Sequence, residues 1–234
     1  MPGFTRNDAE SPPARGRPIG WKALLRRCLA ILFGDYQLFR IYGCDLVQLN
    51  ETDLSPFRAQ GFAFREVGAA DLAASSDEDI RSIARYCGED AAVFAVYRGT
   101  EIVCVQCYWF GERYRRRNFW PLESGQAKSV ELFTAADYRR RGLATAVKMY
   151  SAQRMKERGF RRLFSRIWHS HGASRRVSEK AGWREVAAVA EFTPIGLGRA
   201  VRLVRNRRGA GQRNAGTVPR ADSRAQSGSV KDSE

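Results

Sequence analysis

Residues 130–155 read as a strand, a basic turn and a long helix in direct succession, and the rest of the sheet must arrange itself around that unit. The strand covers residues 130–134, with Leu132 and Phe133 at its apolar centre. The helix is predicted over residues 143–158. There Leu143, Val147, Tyr150 and Met155 recur at helical spacing, with Lys148, Arg154 and Lys156 between them. Joining the two is the run Arg139-Arg140-Arg141-Gly142-Leu143-Ala144. A glycine at that point lets backbone N–H groups crowd together at the start of the helix, where the first four have no partner within it. Those donors and the positive end of the helix dipole attract an anion, and three arginines on the approach strengthen the preference. The run lacks the lysine and the spacing of a P-loop, so the cradle is of another kind.

The flanking segments predict a mixed sheet. Residues 62–67 have strand composition, Asp71 starts a short helix, and Asp77 opens a helical stretch through Tyr86. Residues 91–97 and 102–110 are two strands around the turn signal Arg98-Gly99-Thr100, and residues 111–125 read as a polar loop of interleaved basic and aromatic side chains. A strand over residues 162–168 and a helix over residues 173–181, stopped by Gly182, come next, then strands over residues 183–192 and 199–204. No regular βαβ repeat is present, which points to the α+β class. Ahead of this unit, residues 1–19 are rich in Pro, Gly and Arg and are predicted to be disordered. Residues 20–61 form an N-terminal extension: an amphipathic helix over residues 21–33, a strand over 36–42 continued at 45–49, and a loop over 50–61. Residues 206–234 contain no aromatic side chain and are expected to be a disordered tail, which leaves residues 62–205 as the main domain.

Charge narrows the partners without choosing one. The 40 Lys and Arg outnumber the 25 Asp and Glu to give +15, an excess that attracts nucleic acid, acidic membranes or phosphorylated small molecules. The helix over residues 21–33 either docks on its own domain or lies on an anionic membrane surface. Five cysteines follow no disulfide rhythm, so a reducing, cytoplasmic setting is expected. Cys104 and Cys107 sit in an apolar strand without a second pair, and with two histidines in the chain they read as core thiols, with no metal. No apolar run approaches the ~20 residues of a membrane span.

Two motifs resemble the GNAT (GCN5-related) N-acetyltransferases. Arg139-x-x-Gly142-x-Ala144 is similar to that family's Q/R-x-x-G-x-G/A acetyl-CoA signature. After the next strand, residues 171–183 (HGASRRVSEKAGW) resemble its N-x-A-S-x-x-x-Y-E-K-x-G-F segment. The resemblance covers about residues 62–204. It implies a splayed, mostly antiparallel sheet with helices on both faces, acetyl-CoA as acyl donor, and no metal. It further implies that pantetheine pairs with the strand at Leu132, Phe133 and Thr134, and that the diphosphate sits on the amides from Arg139 through Arg140, Arg141, Gly142, Leu143 and Ala144 to Thr145. His171 stands where the family has a cofactor-touching Asn, and imidazole can both donate and accept. Ser178 stands where the family has the Tyr that protonates the leaving thiolate. A thiol of pKa around 8.5 leaves with little help and another tyrosine or a water can supply the proton, so activity need not vanish, but the missing acid also opens the reading of a fold used without catalysis.

Amide formation from a thioester needs a neutral amine near the carbonyl, an oxyanion donor and a base. A backbone N–H near Phe133 or Thr134 is the expected oxyanion donor. Glu131 is the expected base, since some family members carry a catalytic glutamate on this strand. Asp137 reads as a turn residue. The acceptor is a small or peptidic amine. The basic, aromatic stretch over residues 113–120 suits one bearing phosphate or a nucleotide, or an acidic protein segment. Two other readings compete: a CoA-binding module without turnover, and a basic nucleic-acid- or ribosome-binding protein. For the last, no helix-turn-helix, RRM or zinc-finger signature is present.

Overall fold

Apolar alternation and turn chemistry place eight strands and six helices along the described chain. In order these are β1 (Tyr36–Asp45), α1 (Ser55–Ala59), β2 (Phe62–Glu66), α2 (Ala69–Ala73), α3 (Glu78–Ser82) with a 3₁₀ turn at Ile83–Tyr86, β3 (Ala91–Arg98), β4 (Glu101–Trp109) and α4 (Gly111–Arg115). There follow β5 (Gln126–Thr134), a 3₁₀ turn at Ala136–Tyr138, α5 (Leu143–Glu157), β6 (Arg162–Trp168), α6 (Gly172–Lys180), β7 (Arg184–Phe192) and β8 (Val201–Asn206). The computed structural model describes residues 36–115, 120–192 and 201–207. The helix predicted over residues 21–33, the N-terminal stretch before it and the tail beyond residue 207 lie outside the described residues.

The strands form one sheet in the order β2-β3-β4-β5-β6-β1-β7-β8. Every neighbouring pair is antiparallel except β5 and β6, which are parallel and joined through α5. The expected α+β class and mixed, mostly antiparallel sheet are both present. Helix α5 covers one face, where Leu143, Val147, Ala152 and Met155 pack with Tyr42, Phe94, Cys104, Tyr108 and Leu163. Helices α2 and α3 and the 3₁₀ turn after them cover the opposite face near β3 and β4, packing Leu72, Ile80 and Ile83 on Val93, Val105 and Cys107. A third cluster, with Phe39, Ile41, Phe164, Val186 and Val189, lies under Trp120. Cys104 and Cys107 fall in different clusters, because residues three apart on a strand point to opposite faces.

The strand β1 lies inside the sheet, between β6 and β7 and antiparallel to both. Phe39 is registered with Trp168 on one side and Val189 on the other. Arg40 is ion-paired with Glu185, and the Tyr42 hydroxyl donates to Glu179 Oε1 at 2.8 Å. A segment read as an extension therefore supplies an interior strand.

Several boundaries differ from the sequence reading. The continuation expected over residues 45–49 is absent, since β1 ends at Asp45, whose carboxylate accepts from the Val47 amide in a turn. The expected loop over residues 50–61 contains α1, with a proline in its first turn. The polar loop begins with α4, which buries Tyr114. Asp77 caps α3 as its position suggested, accepting from the Asp79 and Ile80 amides.

Candidate active site

The central strand starts four residues earlier than its apolar run suggests. Gln126, Ala127, Lys128 and Ser129 are buried, whereas every residue from Val130 onward is partly exposed. The change coincides with a β-bulge. Cys107 is registered with Glu131 and Tyr108 with Ser129, so Val130 and Glu131 together face one residue of β4. Pairing of β5 with β6 also stops at this point, its last rung being Ser129 with Ser165. Beyond it β6 follows β1 through Trp168 while β5 stays with β4. The bend opens the sheet into a cleft whose walls are the ends of β5 and β6.

The ladder decides which backbone groups face that cleft. The Ala135 N–H donates to the Val103 carbonyl at 3.0 Å, so Val103 and Ala135 are a hydrogen-bonded pair. Alternation makes Val105 with Phe133 another such pair, and places Leu132 and Thr134 at the positions whose N–H and C=O point away from β4. Two contacts agree. The Leu132 N–H donates to Glu131 Oε1 at 3.3 Å, and the Thr134 carbonyl accepts from Arg139 Nε at 3.1 Å. Of the three residues expected to meet a donor, Leu132 and Thr134 turn their backbones to the cleft, and Phe133 turns its own to β4.

Two buried side chains hold the bulge from opposite faces. Gln106 Nε2 lies within hydrogen-bond distance of the Glu131 carbonyl at 2.8 Å, and of the Ser129 hydroxyl and the Cys107 carbonyl at 3.0 Å each. Lys128 Nζ donates to the Ser129 carbonyl at 2.9 Å. Burial, reinforced by the charges of Arg166 and Lys148, drives the Lys128 amine well below the ordinary lysine range.

At the mouth of the cleft, Gly142 caps α5 at φ +81°, a left-handed conformation suited to glycine, and no side chain caps the helix there. Arg140 is also left-handed, at φ +64°, uncommon for a residue with a Cβ. The expected cradle of amides from Arg139 to Thr145 is narrower than anticipated at both ends. The Arg139 N–H donates to the Ala136 carbonyl at 3.2 Å and the Thr145 N–H to the Gly142 carbonyl at 3.0 Å. Among the described residues, the amides of Arg140, Arg141, Gly142, Leu143 and Ala144 meet no protein acceptor. Leu143 buries its side chain in the core, so only its backbone is offered. Arg141 lies over the Tyr138 ring at 5.2 Å. Asp137 sits in the exposed 3₁₀ turn, as a turn residue should.

The remaining candidates separate. Glu131 is at the cleft, its carboxylate against the Leu132 amide. His171 is the exposed N-cap of α6, its N–H bonded to the Trp168 carbonyl at 3.0 Å. Ser178 is wholly buried and its hydroxyl has no partner, so it is a core residue without a route to a departing thiolate. Neither nearby tyrosine is a ready acid. Burial and the Glu179 carboxylate push Tyr42 up to about 12, and Tyr108, buried with its hydroxyl against Ser151, is also shifted upward. Sequence reasoning missed Lys128, Gln106 and Lys148, all polar and all buried. Lys148 Nζ stands 3.8 Å from the Trp183 ring centroid, and burial brings its pKa down to about 7. Only the frequency of polar residues amid apolar runs could have flagged them.

A cavity of about 600 Å³ lined by Phe110, Tyr114, Leu122, Gln126, Arg158 and Phe160 lies at the opposite end of β5, away from the cleft and the cradle. Among the described residues no group of histidine, cysteine and acidic side chains could hold a metal, and no helix is long and apolar enough to cross a membrane.

No curated protein sequence matches this chain. Among solved structures, it is similar to a GNAT-family acetyltransferase from Colwellia psychrerythraea at 12% identity and TM-score 0.50, covering 74% of this chain and 62% of that one. It is also similar to a GCN5-related N-acetyltransferase from Kribbella flavida at 14% identity and TM-score 0.45, covering 76% and 65%. A further GNAT-family structure, from Novosphingobium aromaticivorans, matches at 15% identity and TM-score 0.47, covering 68% and 65%. The chain thus spans less than two thirds of each of these structures. At 12% identity the likeness to the Colwellia psychrerythraea structure speaks to the fold alone. The sequence profile of the Acetyltransferase (GNAT) family matches residues 64–183, just over half of the chain. With that match lying over both the bulged strand and the glycine-capped helix, the chain belongs to the acetyltransferase (GNAT) family.

Proposed function

We propose that this protein transfers an acetyl group from acetyl-CoA to a primary amine. The observation that carries the reading is the row of unpartnered amides from Arg140 to Ala144 at the start of α5, beside a cleft that opens at the bulge in β5. A diphosphate on those amides gains both the helix dipole and the arginine field. Pantetheine then extends along the outward backbone of Leu132 and Thr134, displacing the Glu131 carboxylate from the Leu132 amide. That amide becomes free to meet the carbonyl oxygen as it gains charge. The neutral amine attacks the thioester carbon, forming a C–N bond. The tetrahedral intermediate collapses with cleavage of the C–S bond, the thiolate of CoA leaves, and the proton lost by nitrogen passes to Glu131 directly or through water. His171, exposed at the start of α6, is retained as a candidate donor contact. We place the reaction in the cytoplasm because four thiols among the described residues are free.

The test is release of thiol from acetyl-CoA across an amine panel, with wild type and Glu131→Gln compared. We expect turnover that falls on the order of a hundredfold or more in the variant while acetyl-CoA affinity holds, as for loss of a general base. Equal rates in both would remove Glu131 from the chemistry. The second reading, donor binding without turnover, is favoured by the burial of Ser178 at the position of the family's acid. Saturable acetyl-CoA binding with no thiol release from any amine would select it.

A further inference from the structure

One buried amine stands at the closed end of the cleft, and the proposed reaction makes no chemical use of it. The chain has six lysines against 34 arginines, so its positive charge is almost all on a side chain that keeps its proton. Lys128 and Lys148 are the buried lysines among the described residues, and of the two Lys128 lies on β5, the strand that forms a wall of the cleft.

The register fixes where its side chain stands. Lys128 is paired with Trp109 of β4 and Phe164 of β6, one residue before the last rung between β5 and β6. Phe164 belongs to the cluster under Trp120, away from α5, so Lys128 leaves β5 on that face. The next side chain alternates: the Ser129 hydroxyl meets Gln106 on the other face. Past the bulge, Glu131 returns to the Lys128 face, since it is registered with Cys107, two residues from Trp109 on β4. Amine and carboxylate therefore share one face of one strand, on either side of the place where the sheet parts.

The amine leans toward that parting. Lys128 Nζ donates at 2.9 Å to the carbonyl of Ser129, the residue of the last rung. That partner is neutral, and the charges that bear on the amine, those of Arg166 and Lys148, are both positive. Burial first, and then those charges, favour the unprotonated amine, whose lone pair is the nucleophile of amide formation. At 5% exposure the residue is shielded from reagents in solution, whereas an acyl group laid along β5 is brought to the parting.

We infer that Lys128 is a self-acetylation site, to which the protein transfers the acetyl group of acetyl-CoA bound in its own cleft. The inference rests on the acetyltransferase reading and adds an internal acceptor to that site. The Nζ lone pair attacks the thioester carbon and a C–N bond forms. The C–S bond then breaks, CoA leaves as the thiolate, and the proton shed by Nζ passes through water to Glu131. The flexible stem of the lysine lets the amine leave the Ser129 carbonyl for the thioester, and the product amide keeps one N–H to return to it.

Mass mapping of the full-length protein, incubated with acetyl-CoA carrying a deuterated acetyl group and no added amine, provides the test. Acetyl already on Lys128 at isolation is counted with the deuterated group. Two lysines serve as internal controls: Lys180, exposed at the end of α6, and Lys148, whose pKa burial also lowers but which lies on α5 against Trp183. We expect Lys128 to be acetylated at least tenfold faster than either control, at a first-order rate unchanged when the protein is diluted. Acetic anhydride, which needs no cleft, should label Lys180 ahead of Lys128. Lys128→Arg, which keeps a donor for the Ser129 carbonyl, removes the fast label. Acetyl-CoA bound in calorimetry with Lys128 acetylated no faster than Lys180, a rate that falls on dilution, or Lys128 labelled first by the anhydride as well, overturns the inference and leaves the acetyltransferase reading intact. Failure of acetyl-CoA to bind overturns both.

Discussion

Single residues carry two kinds of surprise here, a backbone torsion and a buried charge. The torsion was legible. A glycine between three arginines and a helix was read as the point that lets amides crowd together, and Gly142 does so in a left-handed conformation. Lys148 was not legible, because by spacing alone it sits among the polar residues of α5, yet it is buried against Trp183. Its lowered pKa of about 7 has a direct consequence for stability. The unfolded lysine holds its proton up to about pH 10.4, so between roughly pH 7 and that value the unfolded state binds more protons and stability rises with pH. Below pH 7 the folded state bears the cost of a buried ammonium. We expect wild type to gain stability between pH 6.5 and 8.5, by at most about 1.4 kcal/mol per pH unit from this group. Lys148→Met should lose that share of the slope while keeping the packing. Denaturant titrations at the two pH values check it, and parallel slopes for the two proteins would refute it.

Among the elements, β5 decides the site. The alternation of apolar residues placed the strand at residues 130–134 and could not show the bulge, because an extra residue leaves no mark on composition. It also could not show that Gln126, Lys128 and Ser129 are interior, since polar side chains look like surface until their partners across β4 and β6 are known. Removing one partner from a buried hydrogen bond leaves a bare polar group, at about 1–3 kcal/mol each. Gln106→Leu and Lys128→Met should therefore relax the bulge and narrow the cleft. We expect each to weaken acetyl-CoA affinity at least tenfold while circular dichroism still reports the folded sheet. Folded variants with unaltered affinity would show that the bulge holds without its clamp. The short helices α1 and α4 were missed for a related reason: at five residues each, tertiary packing and a proline outweigh any periodic signal.

At the scale of the whole molecule, the described residues form one sheet opened in the middle, and its second half depends on a strand from the start of the described chain. The motifs and helix order were sufficient to read the class and the splay, but no local pattern says that β1 enters between β6 and β7, across more than a hundred residues of chain. A fragment beginning at residue 62 would leave β6 and β7 with bare facing edges and the Phe39–Ile41 cluster empty. We expect it to show no cooperative unfolding transition, whereas a cooperative, acetyl-CoA-binding fragment would make β1 dispensable. The claim on which the enzymatic account stands is that the amides ahead of α5 receive a diphosphate. Calorimetric titration of acetyl-CoA into wild type and Arg141→Glu tests it most directly. One-site binding that weakens at least tenfold in the variant is the expected result, and indistinguishable affinities would contradict the account.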